Sequence, residues 1–152
     1  MVIQVLLLDE LKKEAARQLF SYRQQAAMLR RHGRKKEGER ATRLRAPDPV
    51  LSAEEWAYLR LWRRIVERTE AYLKETDPVL YRFMVRYFGL HSPINRRRSK
   101  RLRHFEIMEE FHISDSSVYK WRAKVVELTV LEAVRSRKFT LAHTPVSTEP
   151  ED

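Results

Sequence analysis

At 152 residues the chain has the length of one domain, or of two small modules sharing a boundary helix. Its 31 Lys and Arg outnumber 21 Asp and Glu for a formal net charge of +10, while 43% apolar residues supply a core and argue against a wholly disordered basic tail. The absence of cysteine excludes disulfides, iron–sulfur clusters, cysteine zinc sites and thiol catalysis, and a total of 3 glycines disfavours phosphate-cradling loops and turn-dense β-sandwiches.

The expected fold is all-α. The apolar start, Met1 to Leu8, lacks a basic leader, stops at Asp9-Glu10 and has no small-residue cleavage site, so it reads as the beginning of a helix rather than a targeting signal. No run of 18 apolar residues occurs, and no membrane partner is expected. A long helix is predicted over 5–31, with Leu8, Leu11, Ala15, Leu19, Tyr22, Ala26 and Leu29 at alternating spacings of 3 and 4. That seam suits a hairpin with the next helix or a coiled-coil homodimer. Periodicity fades at Gly33, and 32–51 reads as a basic loop closed by Pro47 and Pro49. Residues 12–45 hold 12 basic and 3 acidic side chains, which suit either solvation or phosphate contact.

Ser52 and Glu55 form a capping-box pattern, opening a helix over 53–75 whose stripe is Trp56, Leu59, Trp62, Val66 and Leu73. Asp77-Pro78 restarts the chain as N-cap and first helical residue, and Gly89 sits just past the end of the third helix. The aromatic residues of this helix suit core packing.

The stretch 95–134 carries the functional signal. Six of the eight residues from Arg96 to Arg103 are basic. A short helix over 104–111, the turn His112-Ile113-Ser114 and a second helix from Asp115 to Val134 are the parts of a helix-turn-helix. At about 100° per residue, Val118, Trp121, Val125 and Leu128 share an inward face, while Ser116, Tyr119, Lys120 and Ala123 lie opposite with Lys124 at the edge. The outward residues are candidates for reading base edges. Arg96, Arg97, Arg98, Lys100, Arg101, Arg103, Ser114, Ser117 and Arg122 are candidates for phosphate contact. His112 stands where many such motifs carry Gly, which loosens the expected turn. Beyond Val125 the second helix is apolar on more than one side and needs cover from the N-terminal helices or another subunit.

The order of residues 109–122, Glu-Glu-Phe-His-Ile-Ser-Asp-Ser-Ser-Val-Tyr-Lys-Trp-Arg, resembles the C-terminal motif of RinA-type and ArpU-type phage late transcription regulators, which are themselves similar to the promoter-binding helix-turn-helix of sigma factors. A helix carrying Tyr22-Arg-Gln-Gln, a variable loop and a long helix before Asp77-Pro78 extend the likeness loosely upstream. The resemblance implies a DNA-binding activator of phage or prophage late genes, acting in the cytoplasm of a bacterial host, with host RNA polymerase as a partner beside duplex DNA.

The organisation that follows is a helical arm over 1–76, a DNA-binding module over 77–138 and a disordered tail over 139–152. A phage terminase small subunit, which assembles rings, and a helical adaptor that binds protein through the 8–29 seam are the alternatives. Catalysis is not expected: His104 and His112 flank the short helix without a carboxylate in metal-ligand spacing, and Glu106, Glu109, Glu110 and Asp115 read as solvated acids. Neither a cofactor nor a metal is anticipated.

Overall fold

The chain is described as a computed structural model covering residues 4–36, 50–91 and 100–141; residues 1–3, 37–49, 92–99 and 142–152 lie outside the described part. The fold is all-α. Helices α1 (Leu8–Lys36), α2 (Ala53–Thr76), α3 (Pro78–Phe88), α4 (Lys100–Phe111) and α5 (Asp115–Arg135) follow one another, and the short strands β1 (Gln4–Leu6) and β2 (Phe139–Leu141) lie at the two ends.

Local side chains start most of these helices. Glu10 reaches back to accept from the Leu7 amide at 2.9 Å, so α1 begins at Leu8 and not at residue 5. Ser52 and Glu55 make both bonds of the capping box on α2, at 3.1 and 2.9 Å. The Asp77 side chain accepts from Leu80 ahead of Pro78, and Gly89 closes α3 with φ of 64°.

The far end of α1 corrects the sequence expectation. Helix continues through His32 and Gly33 to Lys36, so the first part of the expected 32–51 loop is helical. The His32 ring stacks on Trp56 of α2 with centroids 4.0 Å apart, a contact between distant residues that holds this end. The rest of that loop, 37–49, lies outside the described residues.

A single buried cluster draws on all five helices and Phe139. The α1 seam is closed within the chain: Leu11, Ala15, Leu19, Tyr22, Ala26 and Leu29 are buried, whereas Leu8 is exposed. On α2 the buried stripe is Trp56, Leu61, Trp62, Ile65, Val66, Thr69, Glu70 and Leu73, with Leu59 only half-buried. Helix α5 packs on both α1 and α2; beyond Val125, Val126 and Val130 are covered by the core while Leu131 stays exposed.

Polar ties reinforce the α1–α2 contact. Tyr58 Oη donates to Glu14 Oε2 at 2.6 Å, and Tyr22 Oη donates to Glu67 Oε2 at 3.1 Å. Burial pushes the Glu14 carboxyl up, but hydrogen bonds from Tyr58, Arg17 and Gln18 outweigh it and hold the group below the ordinary 4.5. Burial first, then the negative partner, raises the hydroxyls of Tyr58 and Tyr22 well above the ordinary tyrosine value.

The C-terminal end also departs from expectation. Phe139–Leu141 is not tail: β2 pairs in parallel with β1, Gln4 opposite Phe139 and Leu6 opposite Leu141. Arg137, with φ of 63°, turns the chain after α5. Phe139 then lies against Trp62, centroids 5.2 Å apart, and is buried. An isolated three-residue strand carries no periodicity to detect, which is why the pairing is not legible locally.

Candidate nucleic-acid interface

Helix α4, the turn 112–114 and α5 form the candidate surface. The turn is a Schellman ending: the Ile113 amide donates to the Met108 carbonyl at 3.1 Å, and His112 adopts φ of 53°. Ile113 and Met108 are both half-buried against the core, as the motif's apolar contact requires. His112 therefore takes the left-handed conformation that glycine would favour, and the looser turn expected from its identity is not found.

Ser114 caps α5, accepting from the Ser117 amide at 3.2 Å. Its hydroxyl also donates to Ser117 Oγ at 3.0 Å, so these two phosphate candidates are engaged with each other. Asp115, in the first turn, takes the helix-dipole position for an acid and bonds His104 Nε2 of α4. The His104 ring also sits 5.0 Å from the Tyr119 ring. One α4 side chain thus braces the first two turns of α5.

All five base-reading candidates share the open side of α5: Ser116, Tyr119, Lys120, Ala123 and Lys124 are exposed. Val118 and Val125 on the opposite side are fully buried, with Val126, Thr129, Val130 and Ala133 continuing the core face. Trp121 and Leu128 lie at the flank of that face, half-buried rather than enclosed. Trp121 still packs edge-on against Phe83 and Phe111, with centroids 5.5 and 6.0 Å away. Arg86 of α3 pairs with Glu110 of α4 at 2.8 Å, tying the short helix to the core.

Of the phosphate candidates, Arg103 and Arg122 are brought together. Both guanidinium groups lie over the Phe20 ring of α1, at 5.8 and 5.7 Å from its centroid. Phe20 is itself held by Phe88, 4.7 Å away, and Tyr87, 5.9 Å away. Lys100 and Arg101 belong to the first turn of α4, and Arg96, Arg97 and Arg98 lie outside the described residues. Sequence alone does not single out Phe20, Lys12 or Lys13, although all three lie on the side of α1 that meets Arg122 and its neighbours. An apolar residue off the seam, at position 20, is the signal that could have drawn notice.

Among the described residues no group of three or more His, Asp or Glu side chains is arranged to hold a metal ion, and no helix is long and apolar enough to cross a membrane. No protein-family model, no curated protein and no solved structure matches the chain.

Proposed function

We propose that this protein is a sequence-specific DNA-binding transcription regulator, with α4 and α5 acting as a helix-turn-helix and the outer face of α5 reading base edges in the major groove. The observation that carries the proposal is the division of α5: Ser116, Tyr119, Lys120, Ala123 and Lys124 are open to solvent while Val118 and Val125 behind them are buried. A small, polar face that carries two lysines and no acid, near the start of a capped helix, is what groove insertion requires. The net charge of +10 supplies the non-specific attraction.

The resemblance of residues 109–122 to phage late regulators supports control of phage or prophage late genes in a bacterial cytoplasm, through contact with host RNA polymerase. Closure of the α1 seam within one chain favours this over the adaptor that binds protein through that seam, and the mass in solution separates it from a ring-forming terminase small subunit.

Selection of bound sites from random duplexes tests the proposal, followed by competition against single-base variants of the selected site. Lys120→Ala is expected to lose about 1–3 kcal/mol of discrimination at one base position and leave the others unchanged. Recovery of no preferred sequence, or an unaltered preference profile for Lys120→Ala, sinks the base-reading assignment.

A further inference from the structure

We propose that α1 is part of the DNA interface: Lys12 and Lys13, with Arg122 and Arg103 held on Phe20, grip the phosphate backbone of the strand that flanks α5. The inference rests on the base-reading role proposed for α5 and names what lies beside it.

A solvent-open cleft between α1 and α5 carries the argument. Its walls are Lys12, Lys13 and Ala16 on one side and Tyr119, Arg122, Ala123, Val126 and Glu127 on the other. Lys12, Ala16 and Phe20 recur every four residues and so form one stripe of α1. Tyr119, Arg122, Ala123 and Val126, three or four residues apart along one side, form the facing stripe of α5. Two residues of that second stripe, Tyr119 and Ala123, also belong to the exposed face assigned to base edges. The cleft is therefore continuous with the reading surface. A duplex seated on that surface brings a phosphate strand alongside the cleft.

Charge complementarity favours that occupant. Three cations and a single acid, Glu127, line the cleft. Among the described residues, Lys12, Lys13 and Arg122 make no salt bridge with a carboxylate, while Arg17, Arg63, Arg86 and Arg135 do. Phe20 gives the upper end its form. Its ring, packed on Phe88 and Tyr87, holds one arginine from α4 and one from α5 within 6 Å of the same centroid. Fixing two long side chains in the free protein reduces the conformational freedom lost on binding. Phe20 is thus a positioning residue, and the four cations are the phosphate contacts.

The test uses the full chain, with fluorescence anisotropy on a selected duplex and on a scrambled duplex of equal length. For Lys12→Ala/Lys13→Ala the slope of log affinity against log salt is expected to fall by about two, because each lost phosphate contact removes about 0.9. Both duplexes should weaken in the same ratio. Phe20→Leu, which keeps apolar bulk but removes the ring face, should weaken both duplexes about fivefold at an unchanged melting temperature, and Phe20→Tyr should restore binding. An unchanged salt slope for the double lysine variant in a protein that still selects its site overturns the α1 grip and leaves the α5 assignment standing. A changed base preference in that variant also overturns it, since the lysines would then read sequence. A wild-type protein with no salt-dependent DNA binding overturns both proposals.

Discussion

His112 concentrates a local conflict that the surrounding structure resolves. Two helices in this fold end in the same left-handed way: α3 on Gly89, with φ of 64°, and α4 on His112, with φ of 53°. The first costs little, because glycine has no Cβ to clash; the second carries a side chain into a region that costs an L-residue about 1–2 kcal/mol. Histidine tolerates the region better than branched residues do, and the Schellman bond and the half-buried Ile113 and Met108 fix the geometry. His112→Gly is therefore expected to raise unfolding stability by about 0.5–1 kcal/mol, and His112→Val to lower it by about 1–2 kcal/mol, in urea denaturation. A destabilised glycine variant would show that the imidazole has a structural partner of its own. Trp121 belongs to the same scale. Because it is half-buried, Trp121→Ala should cost about 2–3 kcal/mol, less than removal of an enclosed aromatic.

At the scale of elements, α1 is the helix that sequence describes least completely. Its seam is legible because six apolar positions recur at heptad spacing and are buried as that pattern demands. Its length is not, because Gly33 and the basic residues after it erase the periodicity while the stack of His32 on Trp56 depends on a residue in another helix. A Cβ at Gly33 would meet nothing within 4 Å, so Gly33→Ala should stabilise the protein by up to about 1 kcal/mol. No change in stability would mean that this turn is not held as helix in solution. The same contrast governs the other elements. Ser52 with Glu55, Asp77 with Pro78, and Ser114 act on amides within four residues, and each start is readable from the chain. The open face of α5 follows from helical spacing alone, whereas its neighbours Lys12, Lys13 and Phe20 depend on how α1 docks. The α1–α2 contact also predicts a pH response. Glu14 is held below its ordinary 4.5 by Tyr58, Arg17 and Gln18, so its contribution to stability is present above that value and is lost as pH falls through the depressed titration. Glu14→Gln should flatten the acid limb of a plot of melting temperature against pH; an identical limb would remove Glu14 from the account.

For the whole molecule, the pairing of β1 with β2 joins the two ends of the described fold, and Phe139 packs against both Tyr58 and Trp62. Phe139→Ala should cost about 3–5 kcal/mol, a loss that exceeds anything the removal of a tail residue could cause. Since every helix contributes to one buried cluster, circular dichroism and tryptophan fluorescence should follow a single shared unfolding transition. The end-to-end pairing also has a consequence for biosynthesis. Translation delivers α1 first, with Leu11, Leu19 and Leu29 bare, and delivers α5 and Phe139 only when nearly all of the described chain has been made. Of the five described helices, α1 is made before all others, and part of its cover waits for α5. Nascent chains stalled before Phe139 should therefore occupy chaperones, and the surface shared by α1 and α5 becomes whole only once α5 has been made.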